Sequence, residues 1–464
     1  MRFDWAVNQG PAGSRHGVLN SISGVRLFVL SFAFLILVGT AGLLVLPGLY
    51  TGPRLGVIDS LFTAASAVCV TGLIVVDTAR YFTWWGQAWI LLLIQVGGLG
   101  ILTFATLIIR VLGGRGALGV ESATGTGVGT GVGEVRAMVR AVVVLTFGIE
   151  AVGAAGLWLL WSAPLGMGPA AWHAIFHAVS AFCNAGFSTF SDNLVGWQED
   201  PPVLMSIGGL IVLGGIGFLV LEDLRARFLR RTSRRLCTHS RIVLAATLLI
   251  IVGASAFFWV VESGHTLAGL SPTGRAVNAV FMSITPRTAG YNAIDYDRVS
   301  NPGMMLTDAL MFVGGSPGGT AGGVKTTTVS VLILLLIARL RARQHVSLGG
   351  RTVRDDTIQN AAGLVVGAIT ILSIAIFLLL IAERTALGSD RRDFARLVFE
   401  ALSAFGTVGL SMNRTAELTP AGRVLITLLM FVGRVGPLSV AAAMARPRAQ
   451  RTPYRYAYDN VAIG

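Results

Sequence analysis

Apolar runs almost free of charge recur along the chain: Leu27–Leu49, Ala88–Leu112, Val203–Leu221, Ile242–Val261, Val329–Ile337 and Ala361–Ala382. Most are long enough to cross about 30 Å of hydrocarbon, which takes roughly 20 helical residues. Arginine-rich segments, Arg225–Arg241, Arg339–Arg354 and Arg446–Arg455, follow apolar segments directly. That placement predicts cytoplasmic loops, because positive charge is retained on the inner side of the membrane. Composition agrees: 53% of the 464 residues are hydrophobic and 13% are charged, which excludes a soluble enzyme. The net charge of +13 could by itself suggest nucleic acid. The apolar runs assign the bilayer as partner instead, with no nucleic acid. Three scattered cysteines, Cys69, Cys183 and Cys237, make neither a disulfide framework nor a zinc cluster. No small-residue cleavage site follows a short apolar core, so no removable signal peptide is expected.

One pattern is written four times. The segments Phe62–Gly72, Phe176–Gly186, Phe281–Gly290 and Phe399–Gly409 each end in glycine, preceded by a small or hydroxyl residue in the first three and by Val408 in the fourth, and followed by a large apolar residue. Their glycines lie 114, 104 and 119 residues apart, so each unit is a quarter of the chain rather than a solenoid repeat. An apolar span flanks each segment on either side, and the segment itself is too short to cross. The predicted unit is a span, a re-entrant short helix with a loop, and a second span, giving eight crossings. A second correspondence follows in each unit at Gly97-Gly98, Gly214-Gly215, Gly314-Gly315 and Gly433-Arg434.

Irregular backbone is tolerated at membrane depth only where it is buried in protein or lines a watery cavity. Four such loops most naturally surround one axis. Glycine lets successive carbonyls point the same way, and a ring of carbonyls can replace a cation's hydration shell. The candidate selectivity filter is therefore Val70, Thr71, Gly72; Asn184, Ala185, Gly186; Thr288, Ala289, Gly290; and Thr407, Val408, Gly409. The short helices would aim their partly negative C-terminal ends at the same cavity. Outer loops 74–87, 188–202, 292–302 and 411–420 hold seven acids against Arg80, Arg298 and Arg414, which orients the filter outward.

The second span of the third unit is interrupted by Gly314, Gly315, Ser316, Pro317, Gly318, Gly319, Thr320, Ala321, Gly322, Gly323, Val324 and Lys325. Six glycines and a proline cannot continue a helix, and a break this long at membrane depth must line a cavity. Beneath the filter it would serve as a gate. Lys325 is the only lysine among 36 basic residues, which points to a need for a compact ammonium there. Arg434 falls near the middle of a span and is expected to donate to the loop's freed carbonyls.

Three other signals fail. Val324 stands where a phosphate-binding loop needs glycine before Lys325. His173 and His177 lack a glutamate between them and read as packing. The Gly-Thr stretch at 124–133 reads as a flexible linker. Coupled transport needs ionisable residues in the spans, and Glu150, Asp308 and Glu262 are the only acids placed to serve. A proton- or sodium-coupled symporter therefore stays open beside the channel, whereas a nucleotide-hydrolysing pump would need the motif that Val324 breaks.

The residues Ser66–Leu73, Ser180–Phe187, Thr285–Tyr291, Ser403–Leu410 and Gly314–Thr328 resemble the superfamily of bacterial Trk, Ktr and plant HKT potassium transporters. They are most similar to the KtrB membrane subunits of bacterial Ktr systems, over roughly residues 27–445. The resemblance implies an all-α membrane protein with four pseudo-repeats around one pore, a homodimer, and a KtrA-like cytosolic regulatory ring. Nucleotide would bind that ring, and this chain would hold no cofactor of its own. It also implies an intramembrane gate contacted by Arg434, potassium as the ion at the filter carbonyls, and potassium preference from Gly72, where sodium carriers tend to have serine. The division expected is a cytoplasmic tail 1–26, repeat 1 at 27–113, a flexible linker 114–136, repeat 2 at 137–231, repeat 3 at 232–340 with the gating loop 314–325, a cytoplasmic linker 341–358, repeat 4 at 359–445 and a tail 446–464. Both tails would be cytoplasmic, in the bacterial inner membrane.

Overall fold

The computed structural model describes residues 24–113, 132–228, 236–348, 351–384 and 391–436. The tail 446–464 and most of the Gly-Thr linker lie outside these residues.

The first unit runs α1 (Gly24–Val45), α2 (Val57–Val68), the single turn α3 (Thr78–Tyr81) and α4 (Trp84–Gly113). The second runs α5 (Val132–Leu165), α6 (Met167–Phe182), α7 (Pro201–Gly215) and α8 (Phe218–Phe228). The third is α9 (Thr238–Glu262), α10 (Pro272–Ile284), α11 (Asn301–Phe312) and α12 (Thr326–Leu340). The fourth is α13 (Asp355–Ala382), α14 (Arg391–Gly406) and α15 (Pro420–Val435). Between α12 and α13, two-residue strands β1 (Ser347–Leu348) and β2 (Arg351–Thr352) pair antiparallel.

Among the described residues, α1, α5, α9 and α13 are each long and apolar enough to cross a membrane, and the bent pair α7–α8 would make a fifth span. The outer faces of α9 and α13 expose Leu249, Val260, Val366 and Phe377, apolar side chains suited to a lipid surrounding. The short helices α2, α6, α10 and α14 pack inside. The repeated phenylalanines Phe62, Phe176, Phe281 and Phe399 are all fully buried, anchoring each short helix in the core.

Glycines place these helix ends. A side chain at Gly97, Gly214 or Gly433 would strike the carbonyl oxygen of Val68, Phe182 or Phe405, at the C-terminal end of its own unit's short helix. The second correspondence is thus a close approach of helix to helix end in three units. In the third unit Gly314 instead opens the interrupted segment, against the Gly322 carbonyl.

The run Val203–Leu221 is not one straight span. Helix α7 ends at Gly215, and the chain turns by 103° into α8. Hydropathy is blind to this break, because Gly214-Gly215-Ile216-Gly217 stays apolar while Gly217 takes φ +92°, the left-handed region open to glycine. Glu262, among the acids noted in the spans, is held in a helix cap. It is the last residue of α9, and its carboxylate accepts from the Ser300 amide and hydroxyl at the cap of α11. Glu383 does the same for Thr419 at the cap of α15.

In the outer loops, Glu199 accepts from the Ser271 amide at 2.8 Å and hydroxyl at 2.6 Å, clamping the start of α10. These hydrogen bonds hold its carboxyl below the ordinary value of 4.5. A depressed carboxylate stabilises the fold above its unfolded value, and that contribution is lost as pH falls through the lower folded value. Glu199→Gln should therefore lower thermal stability in detergent at neutral pH and flatten the acid limb of the unfolding profile, the two proteins converging as pH falls. An acid limb identical to that of the unmodified protein would remove this clamp.

Candidate functional site

Each short helix ends in a loop with one repeated backbone pattern. Two residues before the loop glycine, Val70, Asn184, Thr288 and Thr407 have φ of +55°, +60°, +75° and +51°, and Gly72, Gly186, Gly290 and Gly409 have φ of +96°, +69°, +74° and +96°. Residues of positive φ thus alternate with one of negative φ, an alternation that lets successive peptide units turn to the same side instead of to opposite sides. Hydroxyls at the helix ends brace the turn. Ser66 and Ser403 accept from the Gly72 and Gly409 amides at 3.1 and 3.0 Å, while Ser180 and Thr285 donate to the Phe187 and Tyr291 carbonyls at 2.8 and 2.5 Å.

The four loops close on one another. A methyl group on Gly72 would strike the Ala185 carbonyl oxygen and stand 3.1 Å from Gly186 Cα. One on Gly186 would come 2.8 Å from the Ala289 oxygen and 3.0 Å from Gly290 Cα. One on Gly290 would strike the Val408 oxygen, 3.0 Å from Gly409 Cα, and one on Gly409 the Thr71 oxygen, 3.0 Å from Gly72 Cα. The ring runs in chain order and ends where it began. Each loop also leaves one buried side-chain oxygen without a protein partner: Thr71 Oγ1, Asn184 Oδ1, Thr288 Oγ1 and Thr407 Oγ1. Buried oxygens without partners are costly, and one in each of the four loops suits a cation that exchanges water for oxygen ligands.

Beneath the ring sits the interrupted segment between α11 and α12. Val313 bridges Val324, Gly314 N donates to the Val324 carbonyl at 2.9 Å, and Thr326 N donates to Gly315 at 3.0 Å, closing the segment into a tight loop. Its tip touches the ring. Asn184 Nδ2 donates to Thr320 Oγ1 at 2.9 Å, and a side chain on Gly322 would run into Thr407. Arg434, 2% exposed, donates to the Thr320 carbonyl and reaches the Gly97 carbonyl at 3.5 Å. Lys325 Nζ turns back to the Ala321 carbonyl at 2.6 Å and Gly322 at 3.4 Å. The residues taken from the sequence as filter lie in these four loops, those taken as gate lie in the interrupted segment, and Arg434 lies in α15 against that segment.

Residues 40–450 match a protein-family model described as TrkH, cation transport protein. The Ktr system potassium uptake protein B of Vibrio alginolyticus is 35% identical over 95% of this chain and 94% of its own length. The protein of the same name from Bacillus subtilis is 36% identical over 92% of this chain and 94% of its own. The potassium/sodium uptake protein NtpJ of Enterococcus hirae is 35% identical over 96% and 98%. The crystal structure of the potassium transporter TrkH from Vibrio parahaemolyticus superposes with a TM-score of 0.75 at 18% identity, covering 93% of this chain and 87% of that one, and shares the fold. This chain belongs to the TrkH family of cation transport proteins.

Within this TrkH-family chain one basic residue at the site escaped assignment from the sequence. Arg287, in the third loop and 8% exposed, sends its guanidinium to Thr247 Oγ1 at 3.5 Å and Thr326 Oγ1 at 3.4 Å, at the exit of the interrupted segment. A base inside the otherwise uncharged Phe281–Tyr291 was the available signal. The pair His173 and His177 is packing: His177 bonds the His173 carbonyl at 2.7 Å and the Ser188 hydroxyl at 2.9 Å. Among the described residues no cluster of three His, Cys, Asp or Glu could hold a metal ion.

Proposed function

We propose that this chain is the ion-conducting subunit of a Ktr-type potassium uptake system, a channel-like pathway in the cell membrane driven by the membrane potential. The carrying observation is the closed ring of four glycine loops, each with an unpartnered buried oxygen. Carbonyls of residues 70–72, 184–186, 288–290 and 407–409 would replace potassium's hydration shell, and four helix C-termini would add negative potential. The names of the Vibrio and Bacillus relatives support potassium as the ion, and the word system in them supports further components. The assembly in this proposal is a homodimer on a cytosolic nucleotide-binding ring, which the resemblance to Ktr membrane subunits implies.

Residues 314–325 are the gate. Arg434, Arg287 and Lys325 crowd the loop, and among the described residues no acid pairs with any of them. Their positive potential beneath the filter raises the barrier to cations while the loop is in place.

Purified protein in liposomes should pass potassium under an imposed voltage, and a matched sodium gradient should give less current. The name of the Enterococcus relative makes the sodium comparison necessary. Deleting Gly318–Gly322 should raise flux in the absence of any partner. A requirement for co-moving protons or sodium would overturn the channel reading in favour of a symporter. Glu150, buried against Gln95 at 3.1 Å, and Asp308, with an unpartnered buried Oδ1, would then be the first acids to replace.

A further inference from the structure

The loop beneath the filter belongs to the third unit, yet the backbone that holds it belongs to the second. Where α7 stops at Gly215, its last carbonyls lose the amides that a continuing helix would supply. Two of these carbonyls are taken by the loop. Ser316 N donates to the Gly215 oxygen at 3.0 Å, and Thr320 N to the Gly214 oxygen at 3.1 Å. The exchange is reciprocal. Phe218 N, the first amide of α8 and likewise without a helical acceptor, donates to the Gly318 carbonyl at 2.9 Å. Thr320 Oγ1 adds a bond to the Phe182 carbonyl at 3.0 Å, tying the same loop residue to the end of α6.

Gly214, Phe218, Ser316, Gly318 and Thr320 are buried in protein, where no bulk water satisfies freed amides and carbonyls. The elbow and the loop each leave backbone groups that only the other completes. Neither can move away alone without stranding these groups or admitting water to them. We infer that the α7–α8 elbow, Gly214–Phe218, is a latch whose residues position the gate, so that a shift of α8 at the inner face releases the loop from the pore axis.

The elbow is built for close approach. A methyl group on Gly217, already at φ +92°, would stand 2.8 Å from the Pro317 oxygen and 3.2 Å from Gly319 N. From the other side, a methyl on Gly319 would stand 2.8 Å from the Gly215 oxygen and 3.0 Å from the Gly214 oxygen. Glycine on both faces lets two backbones meet at hydrogen-bond distance.

This inference rests on the loop being the gate, and the test separates the two. Full-length Gly217→Ala and Gly319→Ala would be compared in liposomes with the Gly318–Gly322 deletion and with Gly209→Ala, which meets no atom within 4 Å. Both latch variants should raise partner-free potassium flux several-fold toward the deletion's level. Their potassium-over-sodium competition should stay that of the unmodified protein, which a general loosening of the pore would not preserve. Gly209→Ala should behave like the unmodified protein. High flux in the deletion with unmodified flux in both alanine variants overturns the latch and keeps the gate. Unmodified flux in all of them removes the gate, and the latch with it. If an alanine variant does not assemble, Leu221→Cys on α8 supplies a second reading. Its labelling rate should rise in the loop deletion, and an unchanged rate would count against the coupling.

Discussion

Gly290→Ser should lower potassium-over-sodium discrimination by about tenfold, a change of about 1.4 kcal/mol in relative barrier height. Two effects act together at this position. The residue sits at φ +74°, where a side chain costs roughly 1–2 kcal/mol, so the loop tends to relax toward a right-handed conformation. Its new Cβ also meets the Val408 carbonyl, the next member of the ring. One substitution therefore displaces carbonyls of two loops. Potassium gives up its water only for a full set of well-placed oxygens, and a distorted ring loses that match first. Sodium competition for potassium uptake is the measurement. The protein should still assemble, because Ser180, Ser66 and Ser403 brace the other three loops independently. Unaltered ion competition in a well-assembled variant would remove the filter assignment.

The second large effect is expected at Arg434. Its guanidinium holds the Thr320 carbonyl and reaches Gly97, joining the fourth unit to the gate loop and to α4. Hydrogen bonds from charged groups contribute roughly 1.5–3 kcal/mol, and removal strands a buried carbonyl. If that energy stabilises only the closed state, Arg434→Gln should increase partner-free flux by about 10- to 150-fold. Arg434→Lys should restore little, since an ammonium cannot reproduce the planar fork that bridges two carbonyls. Selectivity should stay unchanged in both. A variant with altered ion competition and ordinary basal flux would make Arg434 a support of the filter and not a lock on the gate.

The ring was legible in the sequence because its demands fall on residue types. A left-handed turn at close quarters excludes side chains, and that demand repeats at Gly72, Gly186, Gly290 and Gly409. Arg434 was legible for the opposite reason, since a charge in a span needs an explanation. The elbow was not legible, because carbonyls carry no residue code: Gly214 and Gly215 give the loop their backbone oxygens, and Ile216 keeps the run apolar throughout. The capping role of Glu262 was hidden for a related reason. An acid at a span's end looks available for coupling until the Ser300 cap that occupies it is found in space.

A single polypeptide writes the four loops in order, so each quarter of the ring has its own codon set. In a homotetrameric filter every substitution strikes four times at once. Here a change can be tried in one quarter while three remain intact, and the quarters have already diverged: Val70 offers no side-chain oxygen where Asn184, Thr288 and Thr407 do. Ion preference in such a protein can be adjusted in quarter steps, and mixed selectivities among relatives are what gradual tuning of this kind would leave behind.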